Sequence, residues 1–264
     1  MGKIKLLIRY FLYRIRRKGL KGHGIHSPFV YELNQRVLNS KKKYPEYLLI
    51  KNFRNKLANN SQRINVNDPG AGSVVFSSGN RKVKDILNCA GSSPRMGKLL
   101  FRLARNANPE TIVEIGTSLG FGAFCLAAGA PGSLVYSIDA CASQIKIASD
   151  GLSKAGIGNV VLIEGSFRDE LPRLLNRLTK IDLVYFDGDH RKDALLWQFN
   201  QCRKKAHPGT VFIVDDINWS DGMNAAWMDI CQDPEVSLSV DMFYFGLIFF
   251  RKGMAKQHFN LGFS

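Results

Sequence analysis

Acidic residues are almost missing from the first 60 positions, where Glu32 and Glu46 stand against 15 Lys and Arg. That stretch carries +13 of the net charge of +15, which leaves +2 for the other 204 residues. The basicity therefore marks an N-terminal extension and not the body of the chain. Cysteine is sparse too. Cys89, Cys125, Cys141, Cys202 and Cys231 are odd in number, scattered, and without C-x-x-C spacing. This argues against a disulfide framework or a zinc site, and for a reducing compartment. Long apolar runs are lacking: the uncharged run Tyr10 to Tyr13 is far too short to span a bilayer. Arg9 interrupts the apolar stretch, and no small-residue cleavage site follows, which argues against a secretory signal. No internal repeat occurs. What is present is 264 residues, 45% apolar and 11% aromatic, enough for one large domain plus an appendage.

Residues 1–18 read as a basic amphipathic helix. Ile4, Leu7, Ile8, Phe11, Leu12 and Ile15 share one face, with Lys5, Arg9 and Arg16 to one side. One reading is docking on an anionic membrane surface, which would make the protein cytoplasmic and peripheral at the inner face of the membrane. The other is packing on the chain's own domain or on a partner subunit, as in a homodimer. Nucleic acid ranks below both, because no nucleic-acid motif accompanies the charge. Gly19 to Phe29, GLKGHGIHSPF, breaks the helix; His23 and His26 have no acid or Cys near them, so no metal is expected there. A helix is expected over Pro28–Leu38. Lys41–Lys43 and the polar run Asn52–Asn67 read as a solvated helix face and linker, and Asp68–Ser73, DPGAGS, as a turn. The boundary falls near residue 65, with an extension over 1–65 and the main domain over 66–264.

The main domain is organised around Thr111–Gly122, TIVEIGTSLGFG. A short apolar strand, a glycine turn and an Ala-rich helix let backbone approach a nucleotide closely. A dinucleotide site wants G-x-G-x-x-G; here the order is Gly116-x-x-x-Gly120-x-Gly122. Glu114, two residues before the first glycine, would repel a pyrophosphate but suit a cationic or amine-bearing ligand. Strands are expected at Thr111–Ile115, Leu134–Ile138, Val160–Glu164, Ile181–Asp187 and Thr210–Asp215. Helices are expected at Met96–Asn106, Phe121–Ala130, Ser143–Ala155, Arg168–Leu178, Lys192–Ala206 and Asn224–Cys231. Val236–Met242 and Tyr244–Phe250 are close enough to form an antiparallel hairpin. The alternation predicts an α/β fold: a doubly wound, mostly parallel seven-stranded sheet with an antiparallel terminal hairpin and a basic helical N-terminal extension.

In such sheets ligands bind beyond the carboxyl ends of the strands. The second strand ends at Asp139, where a carboxylate can accept from both hydroxyls of a ribose. The third runs into EGSFRD, where Ser166 and Phe167 could flank an adenine and Asp169 reads equally well as a first-turn helix acid. DLVYFDGDH and GTVFIVDDINW place Asp187, Asp215 and Asp216 at two strand tips, with Asp189 and His190 close behind the first. Three converging carboxylates repel one another, and a hard divalent cation would relieve that. The alternative is that one Asp caps a helix and another faces solvent.

The glycine turn with its preceding acid resembles the first motif of the class I S-adenosylmethionine-dependent methyltransferases. Residues from about Lys82 to Arg251 resemble the metal-dependent O-methyltransferases of the catechol O-methyltransferase type and their bacterial relatives. GHGIHSPF combined with DPGAGS resembles a group of uncharacterised bacterial methyltransferase-like proteins. The resemblance implies a methyltransferase-type Rossmann-like fold and S-adenosylmethionine as cofactor, held by Glu114, Gly116, Thr117, Ser118 and Gly120. Asp139, Ala140, Ser166, Phe167 and Asp187 would complete that set. It further implies Mg²⁺, or another divalent cation, on Asp187, Asp215 and Asp216; the catechol enzyme has Asn at the last position, so Asp216 is a departure. His190 falls where that enzyme has its general-base Lys, and the acceptor would be a small hydroxylated molecule. Met96 and Trp219 are candidates, on position alone, for walls of the acceptor pocket. Competing readings are a metal-independent methyltransferase and a membrane-associated scaffold that keeps the fold without turnover. A nicotinamide oxidoreductase fits the glycine spacing least well.

Overall fold

The computed structural model describes residues 3–17, 25–66, 79–89 and 93–264. The chain packs as two compact units, residues 1–41 with 180–264, and residues 42–179. The first unit begins with α1 (Lys3–Arg16) and α2 (Pro28–Leu33), the latter continuing through a wider π turn over Asn34–Leu38. The second unit supplies α3 (Glu46–Ala58), β1 (Arg63–Asn65), β2 (Asn80–Lys82), α4 (Val83–Cys89) and α5 (Pro94–Ala107). It continues with β3 (Thr111–Ile115), α6 (Phe121–Gly129), β4 (Leu134–Asp139), α7 (Ala142–Lys154), β5 (Val160–Glu164) and α8 (Phe167–Arg177). The chain returns to the first unit with β6 (Leu183–Phe186), α9 (Lys192–Arg203), β7 (Val211–Asp215) and α10 (Asp221–Gln232). It closes with β8 (Leu238–Asp241), β9 (Phe245–Phe249) and β10 (Gln257–Asn260).

In residues 42–179, β3 pairs in parallel with β4, and β4 with β5. Ile112, Val113, Ile115, Val135 and Ile138 are fully buried, as near-continuous apolar strands of a covered parallel sheet require. Ser93 caps α5 by accepting the Met96 amide at 3.2 Å, with Pro94 next to it in the first turn, where the missing N–H costs nothing. The polar run from Asn52 is helical at its start, as expected, but that helix has a buried face. Ile50, Phe53 and Leu57 of α3 are buried, and Phe53 stacks on Phe124 of α6 at 4.3 Å. Their i, i+3, i+7 spacing on one helical face outweighs the polar residues between them.

In residues 180–264, β6 and β7 are parallel, while β9 runs antiparallel to both β7 and β8. The expected terminal hairpin is therefore present. One further strand lies beyond it: β10 pairs in parallel with β8, adding to the seven strands expected from the sequence. Of its residues Gln257–Asn260 only Phe259 is apolar, and none is buried, so they lack the apolar alternation that marks a strand. Ser27 accepts the Val30 amide and, with Pro28, opens α2. Phe29 then packs edge-on against Phe249 at 5.2 Å with the Arg251 guanidinium 4.1 Å above its ring. Packing thus follows a different line from charge, because α1 and α2 belong with the C-terminal strands and α3 with residues 42–179. The DPGAGS turn, His23 and the first glycines after α1 lie outside the described residues.

Candidate active site

The turn after β3 is built from left-handed backbone. Gly116, Ser118 and Gly120 have φ of 105°, 46° and 78°. Gly116 and Thr117 donate their amides to the Ile138 carbonyl at 2.9 and 3.2 Å, which ties the turn to the end of β4. At Gly120 a Cβ would lie 2.8 Å from the Ala148 Cβ and 3.1 Å from its Cα, so only glycine fits both the dihedral and the close passage of α7. Gly120 then serves as the N-cap of α6.

Asp139 closes the turn. Its Oδ2 accepts the Ser118 amide at 2.8 Å and its Oδ1 the Cys141 amide at 2.9 Å. The side chain is only partly buried, as is Ala140 beside it. Glu114 is placed otherwise than a solvent-facing ligand for a cation. It is 1% exposed, its Oε2 lies 2.5 Å from the Ser137 Oγ, and that hydroxyl contacts Thr117 Oγ1 at 2.6 Å. Burial pushes its carboxyl up to about 8, with the Ser137 hydrogen bond opposing and Asp139 adding to the rise. At neutral pH Glu114 therefore holds a proton in most molecules. Its Oε1 is buried and has no hydrogen-bond partner among the described residues.

Ser166 is exposed and caps α8: its Oγ accepts the Asp169 amide at 3.2 Å and contacts the Asp169 carboxylate at 2.6 Å. Asp169 is thus the first-turn helix acid. Phe167 is partly buried at the first position of that helix. Met96 is buried on α5. The concave surface lined by Arg105, Glu110 and Ser133 lies at the amino ends of β3 and β4, the opposite end from the glycine turn.

The carboxylates of residues 180–264 are joined by a residue that the sequence reading passed over. Tyr185 is 3% exposed, and its hydroxyl lies 2.7 Å from Asp215 Oδ2 and 3.0 Å from Asp187 Oδ2. The signal was there, since Tyr185 and Asp187 are two apart and share one face of extended chain. A phenol has one proton, so it can donate to only one of the two carboxyls, and the other contact needs a proton on the carboxyl side. Asp215 is the natural holder. Burial first, then the neighbouring charges of Asp187 and Asp216, raise it well above the usual carboxylate range. Its Oδ1 accepts the Asp216 amide at 2.7 Å. Asp216 sits at φ 53°, is also raised by burial, and is opposed in this by His190. His190 Nε2 is 3.9 Å from both Asp187 Oδ1 and Asp216 Oδ2, an ion-pair distance on each side. Asp189 turns away, gripped by Arg191 through contacts of 2.6, 2.9 and 3.2 Å. Trp219 is exposed, with its ring 6.5 Å from that of His190.

Asp187, Asp215, Asp216 and His190 are thus brought together as the strand ends suggested. The expected cation site is a different matter. Among the described residues no group of His, Cys, Asp and Glu has the arrangement to hold a metal ion. The Tyr185 hydroxyl lies against Asp187 and Asp215, and the His190 ring stands near Asp187 and Asp216.

Residues 113–217, from inside β3 to just past β7, match the family model of a Methyltransferase domain. That span holds both the glycine turn and the aspartate tips. It is 31% identical over 129 residues to a probable O-methyltransferase of Mycobacterium tuberculosis, a match covering 46% of this chain and 55% of that protein. It is 30% identical over 129 residues to a catechol O-methyltransferase of the same organism, covering 47% and 56%. The chain therefore spans just over half the length of these curated relatives. An O-methyltransferase from Bacillus cereus, solved in complex with SAH, has the same fold at a TM-score of 0.53 and 23% identity, covering 63% of this chain and 89% of that one.

Proposed function

We propose that this chain transfers a methyl group from S-adenosylmethionine to a hydroxyl of a small acceptor. The observation that carries the reading is the glycine turn locked to Asp139, on the segment that matches a methyltransferase domain. When bound, S-adenosylmethionine supplies an electrophilic methyl group on its sulfonium. Asp139, oriented by the Ser118 and Cys141 amides, is the acceptor for ribose hydroxyls. The turn at Gly116, Thr117, Ser118 and Gly120 gives the close backbone approach, and Ala140, Ser166 and Phe167 are the candidates to flank an adenine. Glu114 Oε1, unpartnered among the described residues, is a buried polar atom that a bound ligand or its water would satisfy.

In the aspartate cluster, His190 is the base for the proton of the acceptor hydroxyl. Asp187 and Asp216, each with an oxygen 3.9 Å from Nε2, stabilise the resulting imidazolium. No step is routed through a cation. Exposed Trp219 is the aromatic candidate for contact with the acceptor. The named relatives make catechols the first acceptors to try. The test is transfer of radiolabelled methyl from S-adenosylmethionine to a panel of catechols and simple phenols. Transfer by the full chain, lost in His190→Gln, supports the reading; no transfer to any hydroxyl acceptor counts against it.

A further inference from the structure

Helix α1 is fastened along one edge and bare along the other. On the fastened edge the Tyr13 hydroxyl donates to the Leu261 carbonyl at 2.5 Å. Tyr10 and Tyr13 pack on Phe243 with ring centroids 4.9 and 5.5 Å away. Arg9 pairs with Asp221 of α10 at 2.7 Å, and Lys5 reaches the same carboxylate at 3.6 Å. The opposite face carries Leu7, Ile8, Phe11, Leu12 and Ile15. Leu7, Phe11 and Ile15 are 65%, 66% and 65% exposed. A helix that packs on its own domain turns its apolar stripe inward. Here the aromatic hydroxyls and an arginine make the attachment, and the apolar stripe faces out.

We infer that this stripe docks on an anionic lipid surface, with α1 lying in the plane of the interface. Leu7, Phe11 and Ile15 would sink among the acyl chains. Arg14 and Arg16 flank the stripe on its two sides, both exposed, at the level of headgroup phosphates. Charge decides the occupant. The helix sequence KIKLLIRYFLYRIR holds five cations and no acid. A second copy of the chain would set an equal row of cations against the first and repel it. A nucleic acid would satisfy the charges but leave the apolar stripe in water. At 14 residues α1 is too short to cross a bilayer, and no helix among the described residues is long and apolar enough to do so. The surface stands independently of the methyl-transfer reading.

The experiment is flotation of the full chain with vesicles of phosphatidylcholine alone and of phosphatidylcholine mixed with phosphatidylglycerol. Light scattering of the free protein is measured alongside. The wild type should float with the anionic vesicles and not with the neutral ones, and should be released as salt is raised. Phe11→Glu and Ile15→Glu change exposed positions and should keep the melting temperature while abolishing flotation. Arg14→Gln with Arg16→Gln should weaken it. Absence of flotation with anionic vesicles would overturn the inference, as would flotation that survives Phe11→Glu. A wild-type dimer that Phe11→Glu dissolves, without vesicle binding, would assign the face to a second copy instead.

Discussion

Ser118 donates its backbone amide to the Asp139 carboxylate at 2.8 Å, so the apex of the glycine turn is held from the tip of the neighbouring strand. The second oxygen of Asp139 accepts from Cys141 at 2.9 Å. Asp139→Asn keeps the shape but turns one acceptor into a donor facing an amide. Its stability cost should be about 1–3 kcal/mol, the scale of an unsatisfied buried group. Thermal unfolding of the variant against wild type checks this. A variant as stable as wild type would show that the turn holds its form without the carboxylate.

Glu114 makes a pH prediction with a definite sign. Its folded value, pushed up to about 8, lies above its ordinary 4.5. The folded state therefore keeps a proton that the unfolded state has released. The resulting stability is fully present below pH 4.5 and lost as pH rises through about 8. Within that window the group adds a downward slope of at most about 1.4 kcal/mol per pH unit. Glu114→Gln mimics the protonated acid, so urea unfolding of the variant should show a shallower fall between these limits. An unchanged slope would mean that Glu114 is ionised in the fold.

Tyr185→Phe removes the hydroxyl between Asp187 and Asp215 and fills the same space with carbon. Two carboxyl groups lose a partner in a buried place. We expect a loss of about 1–3 kcal/mol in stability. An equally stable variant would show that the carboxyls find other partners.

His190→Gln should lower methyl transfer by roughly 10²-fold or more, the scale of a lost general base, while donor affinity stays unchanged. EDTA should leave the wild-type rate essentially as it was. A rate that falls in EDTA and is restored by Mg²⁺ would show that Asp187, Asp215 and Asp216 let go of Tyr185 and His190 to take a cation.

Much of this was legible in the sequence, for physical reasons that differ by element. The parallel strands β3, β4, β6 and β7 are short apolar runs bounded by turns, and such runs announce themselves. The glycine turn was readable because Gly120 has a dihedral and a neighbour that no side chain tolerates. The buried face of helix α3 was hidden by polar residues spaced between Ile50, Phe53 and Leu57, and β10 by its lack of apolar alternation. The chemistry was harder. The spacing of Asp187, Asp215 and Asp216 shows where carboxylates meet, but not that a tyrosine hydroxyl lies against two of them. Tyr185 looked like one more apolar strand residue, and only its hydroxyl contacts reveal its part. Glu114 looked like a charge, and burial makes it a neutral acid.

The most direct measurement of the central claim is a calorimetric titration of the full chain with S-adenosylmethionine, with NAD⁺ in parallel and Asp139→Ala as the variant. The account predicts saturable binding of S-adenosylmethionine, none of NAD⁺, and loss of the binding in Asp139→Ala. A folded wild type that takes up no S-adenosylmethionine, or an Asp139→Ala variant that binds it as tightly as wild type, would contradict the account.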